Sequence, residues 1–284
     1  MIGPSQTRIL VEKTIKLYVG GKFIRSESGR VDRITPTRPP TDNAGADPRD
    51  IYVCRASRKD FRDAMELARK AQAGWAGRSG YNRGQILYRL AEMLEDRAEA
   101  FPVAREQVHA AVDRVVHHAG WSDKISSLLS SLNPVATAHV NYSMLRPVGV
   151  VVALPDPADG LLGMVEALSA ATVMGNTVHL FVPLESGELA AALSEALATC
   201  DMPGGVVNVL TTDVTGLLEW ANHHDDLDAI YLAAAAIDDD ALKATQLEAA
   251  RVMRRLILVD GAAQPASALT LQRLAEVKTV WMSS

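Results

Sequence analysis

The chain has 284 residues, 48% of them hydrophobic and 22% charged, which sustains a large buried core and excludes disordered, collagen-like and disulfide-stapled classes. Its 29 Lys and Arg against 34 Asp and Glu give a formal net charge of −5, without the basic footprint that phosphate backbones demand, so nucleic acid is not an expected partner. Only Cys54 and Cys200 are present, no apolar run approaches the ~18 residues of a membrane span, and Met1 to Glu12 is too charged for a signal sequence, so a cytoplasmic protein with no membrane partner is expected.

Lys16 to Ile24 alternates around Gly20-Gly21, a dipeptide that accepts positive φ, and reads as a hairpin. Arg38 to Asp50, crowded with Pro39, Pro40, Asn43, Gly45 and Pro48, reads as a surface loop. Ser57-x-x-Asp60 is a helix N-cap signature, followed by Phe61, Ala64, Met65, Ala68 and Ala71 at helical spacing until Gly74. A second amphipathic helix carries Ile86, Leu87, Leu90, Met93, Leu94 and Ala98. Another mostly helical stretch runs from about Val103 to Leu132. Ala138 to Arg146 then alternates, with Val140, Tyr142 and Met144 on one face, as a half-buried strand does.

From Val148 the texture changes. Val148 to Leu154 is a continuous apolar run, the mark of a strand covered on both faces. Similar runs return at Thr177–Val182, Val206–Leu210, Leu227–Leu232 and Leu256–Val259, separated by helical patterns. Strand, crossover helix and strand repeated in this way give a parallel sheet with helices on both faces. The expected fold is therefore α/β, a doubly wound five-stranded parallel sheet. Ligands of such sheets bind at the carboxyl ends of the strands. There the sequence holds no Gly-x-Gly-x-x-Gly, no Gly-Lys-Ser/Thr and no Gly-x-Ser-x-Gly, so no ready phosphate cradle or serine nucleophile is expected. His117-His118 and His223-His224 are adjacent pairs, not ligands at i, i+4 spacing, and are expected on the surface with no metal. Cys200 stands beside Asp201, whose charge disfavours a thiolate, so a structural thiol is expected there.

The order of segments resembles the aldehyde dehydrogenases. The resemblance rests on Lys16-Leu17-Tyr18-Val19-Gly20-Gly21, Ala68-Arg69-Lys70-Ala71 through Trp75, Asn82-Arg83-x-x-Ile86-Leu87 and Ala119 to Ile125. It continues through Arg146-Pro147-Val148-Gly149-Val150-Val151, Gly175-Asn176-Thr177-Val178 and Pro203 to Val209. It implies one coenzyme-domain-like unit over 1–284: an amino-terminal hairpin and helices (1–137), an oligomerisation strand (138–147) and a Rossmann-like sheet (148–284). It covers about half of a full family member, and the catalytic half is lacking.

Family chemistry requires a cysteine thiolate, oxyanion donors, a nicotinamide cofactor and a glutamate base. After Pro155 the family carries Trp-Asn, whereas this chain reads Asp156-Pro157-Ala158-Asp159. At the base position stands Val259, and Asp260 reaches it only by a register shift that points it to the opposite face. The resemblance leaves three vestigial cofactor positions: Glu185, where a Lys-Pro-Ser-Glu loop would grip the ribose, Ala233 at the head of a loop without glycine, and Asp238 opening the triplet Asp238-Asp239-Asp240. Carboxylates at a helix start repel a pyrophosphate by about 4 kcal/mol each at 4 Å. No catalytic residue and no bound NAD or NADP is therefore expected.

The resulting expectation is a truncated, catalytically inactive family member, a pseudoenzyme serving as a structural or regulatory subunit, its chain ending after a complete sheet. Ala138 to Arg146 would be an exposed edge, because the strands that pair with it in the family belong to the missing half. Val140, Tyr142 and Met144 would form the interface of an obligate oligomer with a full-length aldehyde dehydrogenase or with a second copy. The alternatives are an NAD(P)-dependent aldehyde dehydrogenase subunit whose active site another chain completes, and a small-ligand module.

Overall fold

The computed structural model describes residues 13–35 and 50–283. Residues 38–49 of the expected surface loop lie outside them. At the amino end, Thr14–Ile15 (β1) precedes the hairpin of Leu17–Val19 (β2) and Lys22–Ile24 (β3), followed by Val31–Ile34 (β4) and Ile51–Cys54 (β5). Gly20 and Gly21 turn the hairpin with φ of 62° and 80°, a conformation most side chains resist. Four helices follow: Arg58–Ala76 (α1), Gly80–Asp96 (α2), Arg105–Ala119 (α3) and Ile125–Leu129 (α4). The Ser57–Asp60 capping box opens α1 as expected, but the helix runs through Gly74 and closes at Gly77. Trp75 explains the extension. Its side chain is 1% exposed and its Nε1 donates to the Thr172 carbonyl at 2.9 Å, so tertiary burial outweighs the glycine's cost.

Next come Ser131–Asn133 (β6) and His139–Pro147 (β7), then the alternating run: Val150–Leu154 (β8), Gly160–Val173 (α5), Thr177–Pro183 (β9), Gly187–Leu197 (α6), Val207–Thr212 (β10), Val214–Asn222 (α7), Ala229–Ala233 (β11), Asp239–Arg251 (α8) and Arg255–Val259 (β12). Ala268–Arg273 (α9) and Ala275–Ser283 (β13) complete the described chain. The central sheet has the order β12-β11-β8-β9-β10-β2-β3. Its first five strands are parallel, as the apolar runs required, and the hairpin adds two antiparallel strands to one edge through β10 and β2. Every residue of β8 is fully buried. Val151 and Ala153 pack toward α2, α3, α5 and α6, while Val150, Val152 and Leu154 pack toward α1 and α7. Each of the valines and Leu154 contributes roughly 1.5–3 kcal/mol of burial, so this strand anchors both layers.

The strand over 139–147 corrects the expectation of an exposed edge. It is the centre of a second sheet, β13-β7-β6, paired antiparallel with β13 from Ala275↔Pro147 to Ser283↔His139 and with β6 through Leu132↔Tyr142. The pairing strand comes from this chain's own carboxyl-terminal segment, and β6 arises within what the sequence reads as helical. In this sheet, among the described residues, the edge strands are β6 and β13. No described helix is long and apolar enough to cross a membrane.

Candidate functional site

The carboxyl ends of β8, β11 and β12 converge on Pro155, Asp156, Asp159, Gly163, Glu166, Tyr231, Ala233, Val259, Gly261 and Ala262. The space among them is about 10 Å³, close to the minimum for a single water. Its closure follows from two carboxylates. Asp159, just before α5, accepts from the Ala262 backbone N–H at 2.6 Å and draws the segment after β12 over the strand ends. Glu166, two turns farther along α5, accepts from the Ala266 N–H at 2.8 Å. Asp156 is spent locally, accepting from the Ala158 N–H at 2.9 Å. The two aspartates that replace the family's amide thus act on backbone.

Glu166 is 2% exposed and is balanced by two groups from α3. Arg114 donates to it at 2.6 Å, and His118 Nε2 lies 3.0 Å away. Arg114 also donates to the Ala262 carbonyl at 2.9 Å and the Gln264 carbonyl at 3.5 Å. Burial pushes the Glu166 carboxyl up, but the His118 hydrogen bond and the Arg114 charge outweigh it and hold it below the usual carboxylate range. His118 corrects the surface-histidine expectation, for it is fully buried, whereas His117 and His223 are exposed and His224 is half-buried. The clue lay in the sequence. Arg114 and His118 share a helix face at i, i+4, and Glu166 is the lone charge in an apolar helix, which requires partners.

The vestigial cofactor positions are not brought together. Ala233 lines the closed space, 2% exposed. Glu185 borders a separate hollow of about 380 Å³ with Arg55, Thr212, Asp213, Thr215 and Ala236. Asp238 caps α8, accepting from the Ala241 N–H at 2.8 Å, with Asp239 and Asp240 in the same first turn. A dinucleotide does not fit this donor set. Its nicotinamide end would meet the ~10 Å³ space, where ligand pockets run to roughly 300–1,000 Å³, and its diphosphate would face a helix start filled by carboxylates.

Neither thiol lines the closed space. Cys200 follows α6, at the amino-terminal side of β10, fully buried, and burial pushes its pKa up to about 11, with the Asp201 charge adding to the rise. Cys54 ends β5 and is 1% exposed. Val259 borders the closed space, whereas Asp260 is exposed. Among the described residues no group of three or more His, Cys, Asp or Glu could hold a metal.

Comparison with known proteins agrees with this architecture. The Bacillus subtilis protein DhaS, an aldehyde dehydrogenase by designation, is 27% identical over 271 residues, covering 90% of this chain and 52% of its own. The D-glyceraldehyde dehydrogenase (NADP(+)) of Thermoplasma acidophilum is 26% identical over 264 residues, covering 88% and 51% respectively. The chain spans about half the length of the curated relatives it matches. Among solved structures, the NAD+ complex of aldehyde dehydrogenase from Bacillus cereus superposes with a TM-score of 0.76 at 20% identity, over 87% of this chain and 50% of that one, a likeness of fold. The model of the Aldehyde dehydrogenase family itself matches residues 49–236, from the approach to β5 to the loop that precedes α8. That match takes in four of the five parallel strands and their crossover helices, and on it the chain belongs to the aldehyde dehydrogenase family.

Proposed function

We propose that this chain is a catalytically inactive member of its family that serves as a structural or regulatory subunit of an oligomer, with a full-length aldehyde dehydrogenase as partner and self-association as the variant form. The observation that carries this reading is the closure of the strand ends, where Asp159 and Glu166 hold backbone N–H groups across the position at which a substrate and a nicotinamide would have to meet. A buried Cys200 at the opposite side of the sheet offers no thiolate to an aldehyde. Neither NAD nor NADP is a cofactor of this chain in the proposal.

The docking surface is the second sheet. The expected interface residues Val140, Tyr142 and Met144 share a face with Leu132, Val280 and Met282 by register, and Leu132, Met282 and Val140 remain 76%, 46% and 38% exposed. A partner no longer needs to lend a strand to β7, but the outer edge of β13 stays open to one. Light scattering on the chain alone and after co-expression with a full-length aldehyde dehydrogenase tests this, alongside NAD(P)+ reduction with an aldehyde panel. A monomer at micromolar concentration that ignores the full-length protein refutes the subunit reading. Turnover by the pure chain favours the alternative of an NAD(P)-dependent oxidoreductase subunit, and turnover only in the mixed complex favours a shared active site.

A further inference from the structure

A hollow of about 700 Å³ lies outside the strand-end site, between the turn after β3 (Glu27, Ser28, Arg30), the first turn of α1 (Ser57, Arg58, Lys59) and α7 (Gly216, Leu217, Trp220). Four cations and two carboxylates line it, and the way they are paired decides what it can take. Lys59 is engaged by Glu27. Arg55 makes a two-pronged ion pair with Asp32, at 2.6 and 2.8 Å. Asp213 caps α7 through the Gly216 N–H. Both carboxylates on the wall are thus committed, as is one guanidinium.

Arg30 and Arg58 are left over. The Arg58 guanidinium carbon lies over the Trp220 ring, 3.4 Å from its centroid, and the group has no carboxylate partner among the described residues. Neither has the Arg30 guanidinium, whose residue is tied only through its backbone, to Ser28 and Arg55. Stacking on an indole orients Arg58 while leaving its N–H edges unspent. A guanidinium presents a planar fork of donors that matches phosphate oxygens two at a time. The volume lies within the range of small-molecule sites, with space for the organic part of an ester beside the charged group.

We propose that this hollow is an anion site that takes a small phosphate monoester, its phosphate held between Arg30 and Arg58 and its ester group directed along α7. The site is independent of the inactive-subunit reading. The test titrates inorganic phosphate and glycerol phosphate into the full chain, following heat and tryptophan fluorescence. Both should bind, the ester more tightly, and the fluorescence change should disappear in Trp220→Phe, because phosphate reorients the guanidinium stacked on that indole. Arg30→Ala and Arg58→Ala should each weaken binding about tenfold, the scale of one charge-assisted contact. Glu27→Gln should tighten it severalfold by releasing Lys59, whereas Arg105→Ala on α3 should leave affinity unchanged. Circular dichroism of each variant establishes that it is folded. No heat at roughly 10 mM of either probe, a range that already covers very weak binding, or an affinity in Arg30→Ala and Arg58→Ala unchanged from that of the parent, overturns the proposal. Equal affinity for the two probes overturns the ester assignment.

Discussion

Arg114 and Glu166 lie 52 residues apart in sequence and meet at 2.6 Å in the interior, one from α3 and one from α5. Between them they hold the segment that leads from the parallel sheet to the second sheet, Arg114 by the Ala262 carbonyl and Glu166 by the Ala266 N–H. The pair therefore fixes both the closure of the strand ends and the path of the chain toward β13.

Breaking that pair on one side should be costly. Glu166→Gln keeps an acceptor for Ala266 but strands a buried guanidinium, and a loss of about 3–5 kcal/mol is expected by chemical denaturation. Arg114→Met with Glu166→Met leaves no charge uncompensated, so it should cost less than the sum of the two single replacements, its remaining loss coming from the Ala262 carbonyl and the Ala266 N–H that lose their partners. Because the folded state holds the Glu166 carboxyl below its ordinary value of 4.5, its contribution is present above that pH and is lost as pH falls below it. A Glu166→Gln protein within about 0.5 kcal/mol of the parent would contradict this account.

His179, on β9, is buried without a hydrogen-bond partner on either ring nitrogen, against the edge of Phe61. Burial, with a smaller push from His224, pulls its pKa down from 6.5 to about 3. Between those values the unfolded state binds the extra proton, so stability falls as pH drops from 6.5 toward 3. The loss amounts to about 2 kcal/mol at pH 5. His179→Leu should abolish that slope and melt higher than the parent at pH 5, while at pH 7 relief of two unpartnered nitrogens offsets any packing loss. Melting curves at pH 5 and pH 7 check both signs.

Cofactor addition should leave the melting temperature unchanged. A ligand at a thousand times its dissociation constant stabilises the native state by about 4 kcal/mol, so NAD or NADP at roughly 1 mM would be conspicuous if it bound with micromolar affinity. A clear upward shift, or turnover that disappears in Cys200→Ser, would refute the reading of the strand ends.

The register of the second sheet supplies a variant that attacks an interface without attacking the fold. Val140 pairs with Met282, and both side chains are substantially exposed. Val140→Lys with Met282→Glu places opposite charges across that pair, which supports the strand pairing while rendering the outer face hydrophilic. The double variant should lose its partner in light scattering and keep its helical circular dichroism. Retention of the complex would place the contact elsewhere.

Residues close in sequence carried most of the fold. The five parallel strands announce themselves as apolar runs because a strand covered on both faces has no polar side, and the Ser57–Asp60 box and Gly20-Gly21 turn are legible because their chemistry spans only a few residues. The carboxylates at the start of α8 were equally plain. What no local pattern contains is the choice of distant partners. Ala275–Ser283 pairs with His139–Pro147 across more than a hundred intervening residues, so a strand that reads as an orphan edge is in fact the centre of a sheet. His118 looks like one of an adjacent surface pair until α3 packs on α5 and Glu166 meets it. Sequence by itself determined the parallel strands, the helices between them and the apolar face of each, because backbone geometry imposes those periods locally, whereas Ser131–Asn133 and Ala275–Ser283 became strands only through their pairing with His139–Pro147. Only the tertiary structure decided which charges are buried together and which edges are covered, because desolvation and strand pairing depend on groups that the fold alone brings within reach.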